Sequence, residues 1–380
     1  LSQEELANQL SAAGQPITKA AISEYETGKS VPTAPFIFKL AQILNVKPSY
    51  FFTEPLVTVN WLAFRRHNDL PVVTQERIKS YAARAAEQQI EVQTLLYPDE
   101  QPIFTPPERV TTLQEAERVA EILRRAWKID NQPADNLFQR IEDHGGVVVQ
   151  WIENSEHFDG LSGWGNGVKP IVVINQEVRT DRRRFNLAHE LGHLLMDTTG
   201  LTEQEEEKLA QRFAAAFLVP ADTARHELGN QRHKLDWHEL GLLKQKYGMS
   251  MSAWIYRAKE LQIISEGYGK TLLAELHRNG WRYNEPFEYI GQEEPLRLKQ
   301  MTLRAVAEGI ISEERGRELC PECFALVEVS QIPQSAHDLL KLPVEERNNF
   351  VRAALERREA RAPHLFAVDE FAAAGLSAAG

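Results

Sequence analysis

The chain has 380 residues, 43% of them hydrophobic, with 43 Lys and Arg against 54 Asp and Glu and a formal net charge of −11 at pH 7. That length carries two or three domains, and the acidic balance excludes a surface that grips nucleic acid or anionic membrane throughout, though not one local DNA-reading element. Two cysteines exclude a disulfide framework and point to thiols in a reducing, cytoplasmic setting, and no apolar run reaches the roughly 18 residues of a membrane span.

Residues 1–53 read as short helices. Ser2 is placed to cap the first, with Glu5 three residues on as its capping-box partner. Gly14 and Pro16 break the chain, and Thr18 caps a second helix whose Ala21, Ile22 and Tyr25 face inward. Lys19, Ala20 and Ser23 then face outward near its N-terminus, where a recognition helix reads base edges. Lys29 and Ser30, after the closing Gly28, are placed to touch phosphate, and Gln3 completes the set of candidate DNA contacts. The run Ile22-Ser23-Glu24-Tyr25-Glu26-Thr27-Gly28-Lys29, with Leu40-Ala41-Gln42-Ile43-Leu44-Asn45-Val46, resembles the lambda-repressor/Cro-like (XRE) DNA-binding family. The usual first helix of that family is expected before Leu1. Lys19, Lys29, Lys39 and Lys47 balance Glu4, Glu5, Glu24 and Glu26, so one copy is formally neutral, and a homodimer on a two-fold operator is expected.

Residues 54–110 read as a helical connector, with a helical stretch over 75–95 and then Pro98, Pro102, Pro106 and Pro107. A helix is expected over 113–127. Val147–Trp151 and Pro170–Asn175 are expected strands, the second preceded by a Gly-rich turn (Gly160, Gly163, Gly165, Gly167). Helices follow over 182–196 and 203–218, the latter stopped by Pro220. A helical pair is expected over 235–264, a polar aromatic stretch over 268–290, and helix again from Leu296.

His189-Glu190-Leu191-Gly192-His193 is an H-E-x-x-H motif. Two imidazoles four residues apart share one helix face and can ligate one zinc ion, while Glu190 stands beside them as general base. Catalytic zinc needs a third protein ligand. Met196 and Thr199 occupy the last two positions of the extended three-histidine signature, which excludes it. A carboxylate of the next helix is the alternative, and Glu203, Glu205, Glu206 and Glu207 all offer one. Glu207 shares a face with Ala210, Gln211 and Ala214, where small residues allow close helix approach. Glu207 is therefore the expected ligand, Glu203 the reserve, and Gln211 the outer residue that orients an imidazole.

Phe185–Leu195 around that motif, Arg212-Phe213-Ala214-Ala215-Ala216-Phe217-Leu218-Val219-Pro220, Asp159-Gly160-Leu161-Ser162 and Met251–Ala258 resemble the ImmA/IrrE family of bacterial zinc metallopeptidases, over about residues 110–320. The resemblance implies a glutamate-type zincin fold, a third ligand ahead of the Phe-Ala pair, and limited proteolysis of a transcriptional repressor. Some members carry an XRE domain in the same chain. The expected fold is mainly α with a small β-sheet. An all-α helix-turn-helix domain spans 1–53, the connector 54–110, the zincin with its helical subdomain 111–265, and a mostly helical C-terminal region 266–380.

Three weaker features complete the reading. Cys320-Pro321-Glu322-Cys323 is a lone C-x-x-C, read as two ordinary thiols. His226, His233 and His238 read as surface histidines, one of which could steady an oxyanion. Residues 240–263 look like a second helix-turn-helix, and 339–361 like a helix faintly similar to toxin–antitoxin partners. The function expected is a zinc endopeptidase on a DNA-binding module that regulates transcription, for example in stress responses. Its substrate strand would pair with an edge of the sheet between Val147 and Ile174. The alternative is a non-catalytic regulator or antitoxin whose zincin domain binds a toxin or senses a signal.

Overall fold

The computed structural model describes residues 2–44, 46, 48–52, 56–62, 70–152, 158–282 and 284–324. The chain divides into two compact units, 1–310 and 311–380. The first opens with helices α1 (Gln3–Ala12), α2 (Lys19–Glu26) and α3 (Ala34–Leu44). Ser2 and Glu5 form the expected capping box, and Thr18 accepts from the Ala21 amide. Ala7, Leu10, Ile22 and Phe36 form a small core of their own, with the rings of Tyr25 and Phe36 5.3 Å apart.

The rest of the first unit runs β1 (Val59–Trp61), α4 (Val72–Leu96), β2 (Glu108–Arg109), α5 (Leu113–Ala126), α6 (Leu137–Asp143), β3 (Val147–Trp151), β4 (Gly160–Gly165), β5 (Lys169–Asn175), α7 (Thr180–Leu195), β6 (Met196–Asp197) and α8 (Glu203–Leu218). Then come α9 (Ala221–Leu228), α10 (Trp237–Tyr247), α11 (Met251–Glu260), α12 (Glu266–Arg278) and α13 (Arg297–Ala307). The main sheet has the order β1-β4-β5-β3. β3 and β5 are parallel, whereas β4 is antiparallel to both its neighbours. Both faces of this sheet are covered, which is why β3 and β5 carry unbroken runs of Val and Ile. Val148, Val172 and Ile174 join the core of α5–α8, while Val147, Val149, Ile171 and Val173 pack with Ile78, Ala82, Ala86 and Ile90 of α4. The four-residue spacing puts those α4 residues on one stripe, and its two alanines let the helix lie close to the strands.

Buried charge fixes α7. Arg184 pairs with Glu293 and donates to the carbonyls of Ala134 (2.8 Å) and Tyr247 (3.2 Å), with both partners of the pair almost fully buried. Leaving either charge alone in that setting costs about 3–5 kcal/mol.

Several expectations are corrected. The glycines of 160–165 form a strand, β4, and not a turn. A side chain at Gly163 would meet the Asn60 carbonyl at 2.8 Å, and one at Gly165 would meet the Ile171 side chain at 2.9 Å, so close neighbours explain those glycines. The 54–110 segment is more than a connector, since it supplies an edge strand and the helix that covers one sheet face. The polar aromatic stretch begins within α12, capped by Ser265 and holding Leu272 and Leu276 in the core. Residues 240–263 fall on α10 and α11, where Trp254 and Arg257 are fully buried. In the second unit, α14 (Glu313–Leu319) and α15 (Pro321–Phe324) are joined by a Cys320–Cys323 disulfide, so the pair read as free thiols is bonded. The helix expected over 339–361 lies outside the described residues. No described helix is long and apolar enough to cross a membrane.

Candidate metal centre

α7 and α8 pack against each other, and Leu187, Leu191 and Leu195 of the first share one core with Ala210, Phe213, Ala214 and Phe217 of the second. They meet at Gly192, where a Cβ would stand 3.1 Å from the Phe213 ring. That contact lies between the two histidines along α7, and it brings the first turns of α8 beside them.

His189, His193 and Glu207 converge there, and among the described residues they are the one His/Cys/Asp/Glu group able to hold a metal ion. His189 Nε2 and His193 Nε2 are 3.1 Å apart, and they lie 3.5 and 3.4 Å from the two oxygens of Glu207. Ligands about 2.0–2.1 Å from a tetrahedral zinc ion stand about 3.3 Å from one another. The donor spacings therefore fit zinc, and the donor set, two imidazoles and one carboxylate, is of the zinc type. The side chains of His189, His193 and Glu207 are 4%, 16% and 18% exposed, so the group is partly desolvated while still reachable. Burial disfavours the charged imidazole of His193, but Glu207, Glu190 and Glu206 outweigh it and hold its pKa above the ordinary value. The same local field favours a cation.

Glu190 is buried between α7 and β4. Its Oε2 accepts from Ser162 Oγ at 2.8 Å, and a side chain at Gly160 would come within 3.0 Å of its Cγ and Oε1. Asp159, just before β4, accepts from Arg182 (2.8 and 3.0 Å) and from Asn186 (3.1 Å), which ties the start of this strand to α7. Ser162 was missed as a functional residue. Its alternation with Gly160 on one strand face was the available signal, and the reading of that segment as a turn concealed it.

Two expectations for α8 and its neighbours fail. Gln211 is exposed and does not orient either imidazole, because the packed face of α8 runs through Ala210 and Ala214 and leaves Gln211 at its margin. Glu203, the reserve ligand, is exposed and outside the group, whereas His226, His233 and His238 are exposed, in agreement with their reading as surface histidines. Glu205 caps α8 with Thr202, and Glu206 accepts from Thr198 Oγ1 at 2.9 Å. The edge of β4 away from β5 carries β1, whereas β3, at the other end of the sheet, is paired with β5 alone among the described strands.

On the helix-turn-helix, Lys19, Ala20 and Lys29 are exposed, and Ser23 and Ser30 half-buried. Gln3 donates from Nε2 to Glu26 at 2.5 Å, so its amide is engaged within the domain.

Residues 143–259 match the IrrE N-terminal-like domain of the M78 peptidases, and residues 1–51 match the helix-turn-helix family. The two matches correspond to ImmA/IrrE-type peptidases with an N-terminal helix-turn-helix. No curated protein is similar to the chain. The peptidase match runs from just before β3 to α11 and contains the metal group, while β1 and α4 lie outside it.

Replacing Gly192 with valine is expected to push Phe213 and α8 away from α7, at about 1–3 kcal/mol for overpacking. Both histidines and Glu207 remain, yet the rise in melting temperature on adding zinc should shrink. An unchanged zinc-induced shift in Gly192→Val would show that helix approach does not set the site.

Proposed function

We propose that this chain, a DNA-binding helix-turn-helix joined to a metallopeptidase-type domain, is a zinc-dependent endopeptidase that regulates transcription by cleaving a repressor protein. The observation that carries the proposal is the pairing of a zinc-type donor group with a buried carboxylate held in place beside it. His189, His193 and Glu207 are assigned as the metal ligands and Glu190 as the general base. Bound zinc supplies Lewis-acid chemistry, polarising a peptide carbonyl and acidifying water. Glu190 takes the proton of the attacking water and passes it to the leaving amine nitrogen. Ser162 donates to one oxygen of Glu190 and so fixes the plane of that carboxylate for the transfer. The partly desolvated setting of the ligands strengthens each of these electrostatic contacts.

The helix-turn-helix supports operator binding through Lys19, Ala20 and Ser23 on α2 and through Lys29 and Ser30 after it. Its charge neutrality favours a homodimer, because one copy neutralises little phosphate. A non-catalytic regulator, or an antitoxin that binds a toxin, is the second reading. It is favoured by one observation: β1 covers the edge of β4 where a substrate strand would pair.

Glu190→Gln keeps the size of the side chain and loses its basicity. Zinc content should stay at the wild-type level while peptide cleavage falls about 10²–10⁴-fold. Ser162→Ala should lower kcat more than KM, and His189→Ala or Glu207→Ala should lower zinc content itself. Equal cleavage by wild type and Glu190→Gln would overturn the enzymatic reading.

Ser23→Glu places a carboxylate among base edges and phosphates, and should weaken operator binding by at least about tenfold. An unchanged gel shift by a folded Ser23→Glu protein would refute α2 as the reading helix.

A further inference from the structure

Of the two edges of β4, one is paired along its whole length, from Gly160 to Gly165, with β5. The other is taken by the chain itself. β1 pairs antiparallel in the register Val59↔Gly165, Asn60↔Trp164 and Trp61↔Gly163, and the Leu62 amide then donates to the Ser162 carbonyl at 3.0 Å. Ser162 is the residue whose hydroxyl holds Glu190. The chain's own extended backbone thus runs along β4 as far as the residue beside the assigned general base. A peptide that adds to this sheet beside α7 needs the same row of backbone groups.

We propose that residues 56–62 are an intramolecular occupant of the peptide-docking edge, which a substrate segment must displace before it is cleaved. This rests on the peptidase reading and adds to it a built-in restraint. Three observations carry it. The antiparallel direction is that of an added strand on this edge. The strap lies outside residues 143–259, the part of the chain that matches the peptidase family. Its attachment is also uneven. Val57 is buried, with its side chain where a Cβ on Gly165 would come within 3.2 Å, but Asn60 is exposed and Leu62 is 41% exposed. Val59 and Trp61 are half-buried against the core that α4 shares with the sheet, and a strand of only three residues adds little stability of its own.

Two residues clasp the anchored end, Glu87 of α4, which accepts from the Leu56 amide at 2.6 Å, and Asn166. Asn166, in the turn after β4, accepts from the Thr58 amide at 2.9 Å and donates from its side chain to the Leu56 carbonyl at 3.1 Å. Its own amide donates to the Thr58 carbonyl at 2.8 Å. Its φ of +50° is a left-handed conformation that glycine adopts without strain. Asn166→Gly therefore keeps the turn and deletes both side-chain bonds. The strap follows the helix-turn-helix residues 1–51 in the chain, so events at the operator and at the β4 edge are covalently linked.

The test uses the full-length zinc-loaded protein and reduced, carboxymethylated casein as an unfolded probe. Hydrogen exchange of the 56–62 amides is followed together with initial cleavage rate, for wild type and Asn166→Gly. Removing two hydrogen bonds should raise the open population about fivefold or more. Exchange in 56–62 should quicken by that factor, and casein cleavage should rise with it at unchanged zinc content. Asn60→Pro, at an exposed position within β1, breaks the ladder by another route and should act in the same direction. Faster exchange with an unchanged or lower cleavage rate in both variants would overturn the strap as an obstruction. No cleavage by any of the proteins, with the strap shown to be open, would instead overturn the peptidase reading beneath it.

Discussion

Gly192 has no side chain, and the ring of Phe213 packs within 3.1 Å of where a Cβ would stand. Through that contact α8 meets α7 between two histidines on the same helix face, and a carboxylate from the start of α8 completes the group. One helix alone offers two ligands four residues apart. The third has to come from elsewhere, and its distance is set by how closely two backbones can approach. Ala210 and Ala214 serve the same purpose further along α8. The metal group is thus a consequence of small residues in a helix interface, with Arg184 and Glu293 anchoring α7 from beneath.

The sheet supplies the second half of the arrangement. β4 runs antiparallel to its neighbours and turns Ser162 and Gly160 toward Glu190, one holding the carboxylate and the other leaving space for it. A base whose position is fixed by a neighbouring strand loses little entropy when it acts. The opposite edge of the same strand carries the chain's own residues 59–62, so one short strand touches both the assigned base and the segment that follows the helix-turn-helix.

Much of this was legible in the sequence because it rests on helical period. The H-E-x-x-H spacing places two imidazoles on one face, and the 207, 210, 214 spacing puts a carboxylate on the face of α8 that packs closely. Capping pairs such as Ser2 with Glu5 were legible for the same local reason. Gln211 failed because sharing a helix face does not fix depth: one position of angular offset takes it from the interface to solvent. β4 was concealed by its glycines, which resemble turn chemistry but here answer to neighbours that press on the backbone. β1 is only three residues long, too short for an alternating pattern, and its partner lies about a hundred positions away. The Cys320–Cys323 bond could not be read from spacing, since two cysteines three apart serve equally as thiols, ligands or a disulfide.

The central claim is that two imidazoles and one carboxylate hold a single zinc ion. X-ray absorption at the zinc edge, on the full chain loaded with one equivalent of zinc, tests it most directly. The account predicts a four-coordinate site of nitrogen and oxygen neighbours at about 2.0–2.1 Å, with imidazole scattering from two rings and no sulfur. Sulfur at about 2.3 Å, or imidazole scattering undiminished in His193→Ala, would contradict it.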